Sequence, residues 1–176
     1  MKLLNFCAMN SKSLPIFIFI AFSIAALTTF ANPSDVEYVG YRHKGVTRGE
    51  KLPNGVKDLG GGLLSDEDYG VTRFVKGKKY MLWLEKIVER NADGVPYWEV
   101  KDVLTFDNLK KNQRFLYSYS SPCTENEAEN LDLIVLAELA PKAKNYKILK
   151  AWRANAENEK FEPTSPAGIV CQAGKP

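Results

Sequence analysis

Two β-prone runs facing each other across a strong turn constrain this chain more than any other feature. Tyr80–Arg90 reads YMLWLEKIVER and Pro96–Phe106 reads PYWEVKDVLTF, with Asn91-Ala92-Asp93-Gly94 between them. Asp-Gly supplies the positive φ that a tight reversal needs, and aromatic and β-branched residues favour a pleated strand. The pattern predicts a hairpin. A three-residue loop, Asp93–Val95, sets Leu82 against Phe106, Leu84 against Leu104, Lys86 against Asp102, Val88 against Val100 and Arg90 against Trp98. A one-residue slip would mix these apolar pairs with charge. The opposite face carries Trp83, Glu85, Ile87 and Glu89 with Lys101, Val103 and Thr105. It is half polar, which predicts a wet or partly covered surface.

The same reading extends along the chain. Arg114–Ser120 alternates Phe115, Tyr117 and Tyr119, and Ser121-Pro122 ends it, because proline cannot continue a ladder. Cys123–Asn130 reads as an acidic loop. Leu131–Leu139 and Tyr146–Ala154 fit both a strand and a helical face, and their β-rich neighbours favour strands. Asn155–Glu159 is a turn, Lys160–Glu162 a returning strand stopped by Pro163 and Pro166, and Gly168–Cys171 a last short strand. Tyr69–Phe74 reads as an edge strand. Before it, residues 32–68 are loop-rich, with at most one short strand near Val36–Tyr41, and Gly60-Gly61-Gly62 as a flexible joint. The expected fold is mainly β: a single antiparallel meander in residues 69–176, forming a small sandwich or partly open barrel, with room for one short helix.

The first 31 residues are of another kind. Ser13–Ser34 carries no charge, and Ile16–Leu27 is an apolar run of signal-peptide length, flanked by Lys2 and Lys12. Cleavage is expected after Ala31, with Met9 as an alternative start. An uncleaved segment would instead anchor the chain in a membrane. The expected location is periplasmic or extracellular. Two lysines and no acid leave with this segment, taking the formal charge from +3 to +1. A near-neutral domain lacks the basic footprint of a nucleic-acid binder.

Cys7 leaves too, so Cys123 and Cys171 remain. An even count in an exported chain points to a disulfide. Closing a 48-residue loop stabilises by about 4 kcal/mol at most. A catalytic thiol would want a histidine beside it. His43 is the single histidine and stands far off, in what reads as a surface loop.

Chemistry-bearing motifs are sparse. No Gly-Lys-Ser/Thr follows the glycine run, whose next charges are Asp66, Glu67 and Asp68. That acidic group lacks the spacing of a calcium loop. One histidine makes no metal site. No Gly-x-Ser-x-Gly elbow is present. No catalytic residue, metal or cofactor is therefore assigned. Arg42, Lys44, Arg48 and Lys51 form a basic arm. The candidate binding residues are Trp83, Trp98 and Trp152, with Arg90 and Asp93 at the hairpin turn. Such aromatics pack cores or stack on ligands. The expected role is a non-enzymatic module that binds a protein partner, as an inhibitor or accessory subunit. The alternative is a carbohydrate- or cell-wall-binding module, or a weak hydrolase.

Overall fold

The structure is a computed structural model that describes residues 36–44, 52–53, 55–117, 123–139 and 144–172. The apolar segment before Asn32, Arg48 and Lys51 of the basic arm, and the break at Ser121-Pro122 lie outside the described residues. Twelve strands are described: β1 (Arg42–His43), β2 (Val56–Leu63), β3 (Tyr69–Lys76), β4 (Lys79–Arg90), β5 (Pro96–Asp107), β6 (Gln113–Tyr117), β7 (Cys123–Glu125), β8 (Ala128–Glu129), β9 (Leu133–Glu138), β10 (Lys147–Asn155), β11 (Lys160–Thr164) and β12 (Ile169–Cys171). A 3-10 turn, Val36–Tyr38, precedes them. All pairings are antiparallel, in three sheets ordered β1-β5-β4-β3-β2, β11-β10-β9-β6 and β12-β7-β8. Among the described residues no sheet closes into a barrel.

Alternation along each strand sorts apolar residues onto faces, and stacking the sheets buries those faces. Val71, Leu82 and Leu84 of the five-stranded sheet pack against Phe115, Ile134, Leu136, Trp152 and Phe161 of the four-stranded one. The other face of that second sheet presents Leu116, Leu133, Val135 and Ala151 to the small third sheet and its cysteines. Cys123 and Cys171 stand directly opposite each other in β7 and β12, with Cα atoms 4.2 Å apart, and are disulfide-bonded. The ambiguous runs at Leu131 and Tyr146 are strands in the middle of the sandwich.

The β4–β5 hairpin is present, with a different register. Leu82 faces Leu104 and Tyr80 faces Phe106, rather than Leu82 facing Phe106. The reason is local. The Asn91 side chain accepts hydrogen bonds from the backbone N–H of Asp93 and Val95, at 3.1 and 2.8 Å. That draws Asn91 and Ala92 into the turn, so Arg90 and Pro96 close a five-residue loop. Nearer the turn the ladder shifts at Leu84/Glu85, and Lys86 meets Glu99, not Asp102. The extra residue puts Val100 and Val103 on one face, both buried with Trp83.

That face is dry where Trp83 sits. Trp83 is 0% exposed, under Tyr38 at 4.8 Å and Phe74 at 4.0 Å between ring centroids. The N-terminal segment supplies the cover. β1 pairs with β5, and the N–H of Gly40 donates to the carbonyl of Val100 at 2.8 Å. The glycine run is not a joint. Gly60–Gly62 lie in β2, the outer strand, so β3 is an interior strand rather than an edge. A Cβ on Gly61 would stand 2.5 Å from Thr72 Oγ1 and 2.6 Å from the Val71 carbonyl, so only glycine lets β2 approach β3 this closely. Cys123–Asn130 is a short hairpin, reversed by Asn126 and Glu127 at φ 51° and 70°. Pro163 does not end β11, which is an outer strand and so tolerates it opposite Trp152.

Candidate functional site

The outer face of the five-stranded sheet divides in two. One part carries the aromatic cluster around Trp83. Beside it, β3 and β2 contribute Gly70, Gly61 and Gly62, and the missing side chains leave a cleft of about 270 Å³. Trp98 of β5 forms one wall. A Cβ on Gly70 would lie 3.2 Å from the Gly62 carbonyl and in ordinary contact, 3.4 Å, with the Trp98 ring. Asp58 lines the far end, and its carboxylate accepts from the N–H of Gly60 at 2.5 Å. That bond fixes the irregularity in β2 between Asp58 and Gly61, where Gly60 takes φ 88°. From the facing sheet, the Tyr117 hydroxyl donates to the Gly60 carbonyl at 3.1 Å. Burial pushes that phenol above its ordinary pKa.

A polar triad forms the lining deepest in the protein. His43 and Glu85 are 3% and 2% exposed. His43 Nε2 meets Glu85 Oε1 at 2.8 Å, and the Thr72 hydroxyl donates to Glu85 Oε2 at 2.7 Å. A buried carboxylate is tolerated when its oxygens are hydrogen-bonded, and here each has a partner. The His43 ring stacks on Tyr41, with centroids 5.7 Å apart, and stands edge-on to Trp83 at 6.0 Å. The Thr72 hydroxyl donates to the carboxylate and not to the imidazole. This differs from a nucleophile–base arrangement, in which the hydroxyl lies against the histidine. Among the described residues no three His, Cys, Asp or Glu side chains group as a metal site. The cleft lining holds Asp58 and Glu85 and neither lysine nor arginine. It can therefore accept a cationic or hydrogen-bond-donating group against an aromatic wall.

Arg42 and Glu99 alternate with His43 and Trp98 and so point to the other face. There Arg42, Glu99, Lys101, Glu159 and Lys86 form a chain of ion pairs, at 2.6, 2.8, 3.4 and 2.8 Å in that order. Lys101 and then Arg42 hold the Glu99 carboxyl below the usual range. Lys86 does the same for Glu159, which also accepts from the Tyr69 hydroxyl at 3.0 Å.

The residues expected to bind do not form one surface. Trp83 is sealed under the N-terminal segment. Trp152 is 7% exposed and packs in the inter-sheet core, edge-on to Phe106 at 5.4 Å. Neither presents a platform. Trp98 is half-buried and lines the cleft. Arg90 and Asp93 are exposed at the hairpin tip, where Arg90 donates to the Gly94 carbonyl at 3.4 Å. His43 is a buried partner of Glu85 and not a surface-loop residue. Glu85, Thr72, Gly70 and Asp58 were missed. The one signal was for Glu85, which shares its strand face with Trp83 two residues away. Compared with protein families, curated proteins and solved structures, the chain matches none.

Proposed function

We propose that this chain is an exported, non-enzymatic binding module that holds one basic side chain of a protein partner in the Trp98 cleft. The observation that carries this reading is the lining: an indole wall, the Asp58 carboxylate, a Glu85 carboxylate paired with His43, and neither lysine nor arginine, around about 270 Å³. Drug-sized ligand sites run from about 300 to 1,000 Å³, so a cavity below that range suits a single side chain or ring. A lysine or arginine over an indole face gains about 0.5–2 kcal/mol, and Asp58 adds charge complementarity. The apolar N-terminal run supports export, as does the buried Cys123–Cys171 bond, since such bonds persist in oxidising compartments.

The test is capture on the immobilised, oxidised chain from native envelope and extracellular extract, analysed for proteins and for glycans. A stoichiometric protein is expected, weakened about tenfold by Trp98→Ala and by Asp58→Asn and released by salt. A partner held equally by both variants would remove the cleft from the interface. Glycan captured without protein, and lost on Trp98→Ala, would replace this reading with a sugar-binding one.

A further inference from the structure

A second cavity, of about 220 Å³, opens at the edge of the sandwich, where β3 and the loop between β5 and β6 meet β6. It is unlike the first. Its apolar lining includes Leu109 and Phe115, which belong to the core between the two large sheets. Its charged lining is entirely basic: Arg73, Lys110, Lys111 and Arg114. The Arg114 guanidinium lies 5.6 Å over the Tyr146 ring and the Arg73 guanidinium 5.3 Å over the Tyr117 ring, while Lys110 and Lys111 stand on the exposed loop. Arg73 is the informative one. Its Nη2 donates to the Leu59 carbonyl at 2.8 Å, yet its buried Nε has no acceptor. An arginine lining a cavity favours an anion there unless a carboxylate already neutralises its charge. No carboxylate lines the cavity to do so.

We infer that this cavity binds a monomeric amphiphilic anion, with its acidic head at Arg73, Lys110 and Lys111 and a short apolar body against Leu109 and Phe115. The volume limits the body to a short chain or one ring. Continuity with the inter-sheet core gives that body an apolar environment rather than a surface groove. The site is independent of the Trp98 cleft, which lies on the outer face of the first sheet.

Calorimetric titration of the full oxidised chain with octanoate, 1-octanol and inorganic phosphate tests this. One octanoate per chain is expected, at least about tenfold tighter than octanol or phosphate. Arg73→Gln should weaken octanoate about tenfold, and so should Lys110→Gln/Lys111→Gln, which changes only exposed loop residues. Trp98→Ala should leave it unchanged. No octanoate binding, equal binding of octanol or of phosphate, or indifference to both basic-site variants would each overturn the inference. So would co-sedimentation with phosphatidylglycerol vesicles, lost in Arg73→Gln, when octanoate itself does not bind.

Discussion

His43 Nε2 and Glu85 Oε1 meet at 2.8 Å beneath Tyr41 and Trp83, where an unpartnered carboxylate would lose its hydration with nothing in return. Truncating one member of such a buried pair costs about 3–5 kcal/mol, whereas replacing both by apolar groups of similar size is often near neutral. His43→Ala should therefore destabilise the chain by several kcal/mol in urea denaturation. His43→Phe combined with Glu85→Leu should lose much less than the sum of the single changes. Additive losses would mean that the two groups act separately. The dyad was illegible in sequence for a simple reason. Its members lie 42 residues apart on different strands, and Thr72 lies another 13 from Glu85. No pattern within one window joins them. Trp98 was singled out by residue type with Trp83 and Trp152, and nothing in its own run set it apart from them.

At the scale of single elements, side-chain-to-backbone hydrogen bonds decide what residue types alone leave open. The existence of the β4–β5 hairpin follows from alternation and Asp-Gly. Its register follows from the Asn91 carboxamide, which satisfies two backbone donors and lengthens the loop. Asn91→Ala should cost about 1–2 kcal/mol, because two N–H groups lose their acceptor together. Amide exchange should then rise first at Asp93 and Val95, and unchanged protection there would count against this account of the turn. The glycine run misled in the same way. Three consecutive glycines resemble a joint until β2 is seen paired with β3, so close that a Cβ on Gly61 would stand 2.5 Å from Thr72 Oγ1. At the β10–β11 turn, Glu159 adopts φ 53° and is held by Lys86, Lys101 and Tyr69. Its carboxyl is held below the ordinary value of 4.5. A depressed carboxylate contributes stability above its unfolded pKa and loses it as pH falls through the folded value. Stability should be flat near neutrality and decline below about pH 4.5, with Glu99 and Glu125 acting in the same direction. Glu159→Gln should flatten part of that acid limb in urea midpoints measured against pH, and an unchanged profile would exclude Glu159 as a contributor.

Across the described residues, four layers follow one another: N-terminal cover, five-stranded sheet, four-stranded sheet and disulfide-bonded sheet. Mainly β architecture and the cysteine pairing were readable from period-two alternation and an even cysteine count. Of the outer layers only β12 was, within the expected strand Gly168–Cys171; β1, β7 and β8 were not. They are short segments whose burial depends on what they land on, and their own composition is that of loops. The disulfide ties only the last layer to itself, since both cysteines lie in the three-stranded sheet. Reduction should thus lower stability by up to about 4 kcal/mol through the unfolded chain while leaving the strand content of the two large sheets intact. Far-ultraviolet dichroism with and without reductant, beside Cys123→Ser/Cys171→Ser, measures this. Collapse of the whole β signal under native conditions would show that the third sheet is required by the other two.

The three tryptophans fall one to each remaining compartment: Trp83 beneath the N-terminal cover, Trp152 between the large sheets, Trp98 at the cleft. The chain thus carries its own set of optical reporters. A variant retaining Trp83 alone should emit at short wavelength and shift red when the cover lifts, before the sandwich opens. One retaining Trp152 should shift only on global unfolding. One retaining Trp98 should be quenched by iodide in the free protein and shielded when the cleft is filled. Single-tryptophan variants can follow detachment, unfolding and occupancy as three separate signals, without any added label.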